Sequence, residues 1–187
     1  MNLINDAWIP VRRKNGQIER IAPWQITEGT GDTEIIELAA PRPDFNGALI
    51  QFLIGLLQTT FAPKNPKEWR DQLKTPPTAD ELKNAFSEIV HAFELGGDSP
   101  RFMQDLKIEV NADDANGIGG LFIETPGDQT LKQNKDHFIK RDQIRQVCES
   151  CAAAALYTLQ VNAPSGGAGH RTGLRGGGPL TTILVGK

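Results

Sequence analysis

The chain has 187 residues, 39% hydrophobic and 23% charged, with a formal net charge of −3. That is enough length and apolar material for a folded core, which excludes a disordered segment. No apolar run approaches the ~20 residues of a membrane-spanning helix. The start carries Asp6 and Arg12-Arg13-Lys14 where a secretory signal needs an apolar stretch, so a cytoplasmic protein is expected.

In chain order, Trp8 to Arg13 and Gln17 to Ile21 flank Lys14-Asn15-Gly16. Asn-Gly between two short strand-like runs predicts a hairpin, because both residues tolerate the positive φ of a type I′ turn. Pro10 cannot donate to a ladder and is expected at an edge or beside a bulge. Thr27 to Thr33 is turn-like. Asp44 to Thr60 predicts a helix capped by Asp44, with Ala48, Leu49, Phe52, Leu53, Leu56 and Leu57 at helical spacing. Ile50, Ile54 and Phe61 make it apolar on more than one side, so a buried central helix is expected. Ala62-Pro63 ends it, and Pro66 to Lys74 forms a short helix with Trp69 and Leu73.

Thr78-x-x-Glu81 is a capping box opening a long helix to Leu95, with Leu82, Phe86, Ile89, Val90 and Phe93 on its inner stripe. His91, beside that stripe, is expected as a packed structural residue. Leu106 to Val110 and Gly119 to Glu124 read as strands, separated by an acidic, glycine-rich turn. Pro126 to Arg141 is polar and aperiodic, a long exposed loop in which Lys132, Lys135, Lys140 and Arg141 surround His137-Phe138. Bases around an aromatic suit a nucleic-acid backbone and one stacked base; a solvated loop is the alternative. Asp142 to Val161 predicts a third long helix, with Ile144, Val147, Cys151, Ala155 and Leu159 on its apolar face. The expected fold is α+β: one globular domain over 1–187 with an N-terminal hairpin, three longer helices, a few short strands and long loops.

The most unusual stretch is 163–178, APSGGAGHRTGLRGGG, with seven glycines among His170, Arg171 and Arg175. Glycine loses the most freedom on folding, so this density is costly unless something requires bare backbone. Converging peptide N–H groups suit an anion; a flexible linker is the alternative, although linkers rarely carry two arginines. Residues 1–127 hold 12 Lys+Arg against 19 Asp+Glu, whereas residues 128–187 hold 8 against 4, with no acid after Glu149. An acidic body joined to a basic end is the asymmetry expected where one face meets phosphate.

Cys148 and Cys151 are the only cysteines, spaced CxxC inside the expected helix. Tetrahedral zinc needs four ligands, so they make half a site at most; a pair of reduced core thiols is the other reading. A redox CxxC belongs at a helix start after a strand, which the expected helix does not provide. There is no GxxxxGK[ST] and no GxSxG, and the three histidines show no paired spacing. Binding is favoured over catalysis.

The opening NLINDAWIPVRRKNG, SPRFMQ, LFIETPGDQTLKQNKDHFIKR, CESCAAAALYTLQ and NAPSGGAGHRTGLRGGGPLTT together resemble the large subunit of the type I-E CRISPR surveillance complex, the CasA family. The resemblance runs through the whole chain, whereas family members are far longer. It implies the N-terminal globular part of a non-catalytic subunit, without the C-terminal helical bundle. Such a subunit checks a short flanking motif (the PAM) on invading double-stranded DNA. It also meets the 5′ handle of the guide RNA (crRNA), docks on the backbone, handle-binding and small subunits, and later helps recruit a helicase–nuclease. By resemblance, Ser165, Gly166, Gly167, Ala168 and Gly169 match a glycine loop that enters the minor groove. His170, Arg171 and Arg175 would hold flanking phosphates. A groove only ~6 Å wide admits bare backbone where helices cannot enter. Lys132, Lys135, His137, Phe138, Lys140 and Arg141 match a mobile loop directed at the handle and neighbouring subunits. Cys148 and Cys151 match half of a zinc knuckle completed from beyond this chain. Two readings compete: an enzyme domain cradling a nucleotide in the glycine loop, and a protein–protein scaffold with that stretch as a linker.

Overall fold

A computed structural model describes residues 1–98, 100–109 and 115–162. The hairpin forms as the Asn-Gly signal predicts, joining β1 (Ile9–Arg13) to β2 (Ile18–Ile21) in register from Ile9↔Ile21 to Arg12↔Ile18. Its turn differs from type I′, because only Gly16 takes a positive φ, +87°. Gly16 donates its N–H to Arg13 O, and Asn15 Oδ1 accepts from Gln17 N. This is a three-residue loop closed by a left-handed glycine.

A third strand, β3 (Ile35–Leu38), pairs antiparallel along the other side of β1, giving the order β2-β1-β3. Pro10 therefore stands on the central strand, not at an edge. Alternation from the Arg13 N–H bond to Gln17 O turns the Pro10 nitrogen away from β2. On its other side, toward β3, Pro10 O accepts from Ala39 N–H, and the imide nitrogen returns no bond, so the pairing ends there; a register shift falls between Arg12 and Arg13.

Helix α1 (Pro43–Thr60) is capped at Arg42; Pro43 supplies its fixed φ, and Asp44 lies in the first turn rather than at the cap. The Asp44 carboxylate grips the Arg42 guanidinium in fork geometry, Nε–Oδ1 3.0 Å and Nη2–Oδ2 2.9 Å. One face is buried, through Phe45, Ala48, Leu49, Phe52, Leu53 and Leu56, while Ile50 and Ile54 remain about half exposed. The helix is a wall of the core, not its centre. Helix α2 (Pro66–Lys74) has the expected limits and is capped by Asn65, whose side chain accepts from Lys67 N and Glu68 N.

Helix α3 (Ala79–Ser87) opens with the expected capping box but stops eight residues short of Leu95. The backbone beyond is recruited elsewhere: Leu3 N–H donates to Phe93 O, Leu95 N–H to Met1 O, Phe102 N–H to Glu94 O, and Asn2 Nδ2 to Val90 O. These bonds to distant chain replace the helical ones, leaving a 3-10 turn at Val90–Ala92. His91 on that turn is exposed, not packed as expected.

The contact pattern separates two units, Met1–Lys107 and Ile108–Lys187. The first holds an aromatic core in which Phe52 meets Trp8 edge-on at 5.4 Å and meets Phe93 and Phe102 at 6.0 Å each. Such pairs add to burial because ring edges meet ring faces. Trp8 Nε1 donates to Leu3 O, so the indole is buried with its polar atom paired. Residues 106–109 are turn and irregular chain, not a strand. In the second unit the strand expected over Gly119 to Glu124 is instead a 3-10 turn at Ile118–Leu121, stitched by Thr125 Oγ1 donating to Gly119 O. Helix α4 (Asp128–Lys132) follows, then α5 (Glu149–Asn162), which begins seven residues later than expected and packs against the 118–121 turn. Ile144 and Val147 precede α5, whose buried residues are Ala153, Ala154, Ala155, Thr158 and Val161. Among the described residues, three strands and five α-helices form the α+β fold that the sequence implied.

Candidate nucleic-acid interface

The polar stretch from Pro126 to Arg141 has local structure. Gly127 precedes α4, whose end is closed by two backbone bonds, Asn134 N–H to Leu131 O and Lys135 N–H to Thr130 O. With Asn134 at φ +50°, these bonds make a Schellman stop with asparagine in the usual glycine position. The chain then returns to its starting point. Arg141 Nε and Nη2 both donate to Pro126 O, at 3.2 and 3.0 Å, and Nη1 lies 2.7 Å from Asp128 Oδ1. Sixteen residues with tied ends form an Ω-type loop.

Below the tie the stem is tight. A Cβ on Gly119 would sit 3.2 Å from Ile144 O, and one on Gly117 would lie 3.4 Å from Asp142 Oδ1. Pro126 and Phe122 are buried, and Asp142 turns the chain at φ +64°.

The bases of the loop fall into two groups. Arg141 is spent on the tie. Lys140 Nζ pairs with Asp136 Oδ2 at 3.0 Å, and that hydrogen bond holds the Asp136 carboxyl below its ordinary range, so the acid stays ionised beside the ammonium. Lys132 and Lys135 are exposed and have no ion-pair partner among the described residues. His137 is exposed beside them, and Phe138 is 98% exposed. Leaving a phenyl ring in water forgoes about 1.5–3 kcal/mol of burial, so this ring is available to a partner surface. Arg145, also exposed, extends the basic series, a position the sequence reading passed over. The partnership of Asp128 with Arg141 was missed as well; an acid in a helix's first turn, thirteen residues before an arginine, gives no periodic signal.

Cys148 and Cys151 lie at the start of a helix, not in its middle. Cys148 immediately precedes α5 and is exposed, Cys151 is in the first turn, and Cys151 N–H reaches Cys148 Sγ at 3.4 Å. A Cys148 sulfur that accepts a backbone N–H at a helix start has the surroundings that favour a thiolate, the form a zinc ligand takes. Among the described residues, no further histidine, cysteine or acid joins them in a metal-sized cluster. Ser165, Gly166, Gly167, Ala168, Gly169, His170, Arg171 and Arg175 lie outside the described residues. No described helix is long and apolar enough to cross a membrane.

The architecture defines a class first: an α+β module seen in solved proteins of CRISPR systems. CasA from Thermus thermophilus superposes with a TM-score of 0.67 at 20% identity, over 89% of this chain and 31% of its own. Cse1 from Thermobifida fusca gives 0.69 at 17% identity, over 89% and 30%, and Cse1 from Acidimicrobium ferrooxidans gives 0.66 at 17%, over 88% and 29%. The chain belongs to the family of CRISPR-associated protein Cse1, whose family model matches residues 2–186. It spans less than a third of the length of these solved relatives.

Proposed function

We propose that the chain is the N-terminal part of the large subunit of a type I-E Cascade surveillance complex, a non-catalytic module that touches both guide RNA and target DNA. The observation that carries this reading is the tied loop 126–141, which presents two lysines without an ion-pair partner among the described residues, a histidine and a bare phenyl ring together. Ammonium groups neutralise phosphates, and an exposed ring stacks on any base; together they suit the single-stranded handle of a guide RNA. The other Cascade subunits are the remaining partners, with a helicase–nuclease recruited later.

Recognition of the PAM in double-stranded DNA is assigned to Ser165–Gly169, with His170, Arg171 and Arg175 on flanking phosphates. Family membership and the glycine-rich, acid-free sequence support this assignment. Minor-groove donors and acceptors are degenerate, so several related motifs should be accepted. Cys148 and Cys151 would hold a structural zinc with two ligands from outside this chain; the metal would cross-link segments and do no chemistry.

The test is replacement of Gly166, Gly167 and Gly169 by leucine in the assembled complex. Motif-dependent binding of duplex DNA should be lost while guide RNA stays bound. Unchanged discrimination between motif-bearing and motif-free duplexes would refute the assignment. A saturable thermal shift with a mononucleotide would instead favour a nucleotide-binding enzyme.

A further inference from the structure

We infer that Arg141 and Asp128 form the clasp that holds loop 126–141 in its presenting shape, and that Arg141 is a positioning residue rather than a phosphate contact. The inference rests on the proposed role of the loop in binding nucleic acid. It departs from the sequence reading, which counted Arg141 among the contacting bases.

The geometry uses the donors of the guanidinium on the chain itself. Nε and Nη2 converge on the carbonyl of Pro126, and Nη1 meets the carboxylate of Asp128. A planar fork can do this; an ammonium cannot hold both partners in the same geometry. The Pro126 carbonyl belongs to the loop's first residue and Arg141 is its last, so this one side chain fixes the separation of the loop's ends. Asp128 is also in the first turn of α4, where a negative charge favours the helix. The clasp therefore sets both the loop base and the start of the helix that ends at Lys132. Without it, Lys132, Lys135, His137 and Phe138 would sample many relative positions, and binding would have to order them.

Asp128 gives the test its power, because charge and position predict opposite signs. If Asp128 were only an acid near the interface, Asp128→Asn would remove repulsion and tighten RNA binding. If it anchors Arg141, the same change weakens binding. The measurement is fluorescence anisotropy of a labelled, mixed-sequence single-stranded RNA with the full chain, at several KCl concentrations. We expect Asp128→Asn to weaken binding roughly threefold or more, the direction for a lost charge-assisted contact that preorganises a loop. Arg141→Gln should weaken binding with its salt slope unchanged. A slope reduced by about 0.7 would mean a direct phosphate contact and would overturn the inference. Tighter or equal binding by Asp128→Asn would overturn it too.

A second readout needs no RNA. Trypsin should cut after Lys132 and Lys135 roughly tenfold faster in Asp128→Asn and in Arg141→Lys, with the double variant no faster than either. Wild-type cleavage rates in both single variants would refute the clasp. Should Arg141 variants fail to fold, Asp128→Asn alone decides, since its side chain is 62% exposed. If Lys132→Ala/Lys135→Ala leaves RNA binding intact while the protease result stands, the clasp survives and the nucleic-acid reading fails.

Discussion

Removing the two unpaired lysines of the loop is the perturbation whose size follows most directly from the structure. Lys132 and Lys135 have no ion-pair partner among the described residues, so each is free to displace a counterion from a phosphate. For a single strand each such contact contributes about 0.7 to the slope of log affinity against log salt, and two contribute about 1.4. Between 50 and 200 mM KCl, wild-type affinity for single-stranded RNA should therefore fall about sevenfold more than that of Lys132→Ala/Lys135→Ala. Lys140 is the internal control. Its ammonium is already neutralised by Asp136, so Lys140→Ala should change the slope by much less. Phe138→Ala should cost about 1–3 kcal/mol at every salt concentration, because stacking releases no counterions. Equal slopes for wild type and the double variant would refute the division of bases, even if overall affinity fell.

Two further predictions concern the first unit. Gly29 stands at φ +103°, and a Cβ there would lie 2.2 Å from Thr33 O and 2.8 Å from the Arg13 Nη1 that donates to that carbonyl. Gly29→Ala should lower unfolding free energy in denaturant titration by about 2–4 kcal/mol, combining left-handed strain with a broken Arg13 contact. Gly31→Ala, at φ +58° with nothing within 4 Å, should cost about 1–2 kcal/mol; equal losses would refute the steric assignment. At the α3 cap, the Thr78 backbone N–H and then its hydroxyl hold the Glu81 carboxyl below its ordinary value. A depressed folded value means the contribution is complete above the ordinary glutamate pKa of about 4.3 and is lost as pH falls through the lower folded value. Thermal unfolding of Glu81→Gln should accordingly decline less than wild type below pH ~4.3, and identical profiles would exclude the capping carboxylate.

What was legible in the sequence was local. The Asn15-Gly16 hairpin, Pro66 at the start of α2 and the Thr78/Glu81 box are each determined within four or five residues, and each formed where expected. Two of the failures share one cause, competition from chain far away. Residues 88–95 carry a helical pattern, yet their carbonyls serve Asn2, Leu3 and Phe102, and Leu95 N–H goes to Met1 O. Gly119 to Glu124 is apolar enough for a strand, but Gly119 is pressed against Ile144 O, and the 3-10 turn leaves room for that approach. The sheet's third strand, Ile35–Leu38, was invisible because Ile36 points out, 57% exposed, and no alternation marks it. Moving the start of α5 to Glu149 changed the chemistry of CxxC from two residues on a helix wall to a pair at a helix mouth.

The candidate site shows the same limit in its charges. A sequence count treats Lys132, Lys135, Lys140 and Arg141 as four equal bases around His137-Phe138. Folding separates them by the reach of the two acids in the segment. Asp136 lies four residues before Lys140 in sequence and takes it; Asp128, thirteen residues from Arg141, takes it only because the loop closes. A pairing that requires closure also reports closure, so the Arg141–Asp128 contact and the loop's shape stand or fall together. Among the described residues, the bases without acids in reach are those nearest Phe138 on its N-terminal side. No described acid consumes their charge, which is the physical reason a phosphate chain would settle there.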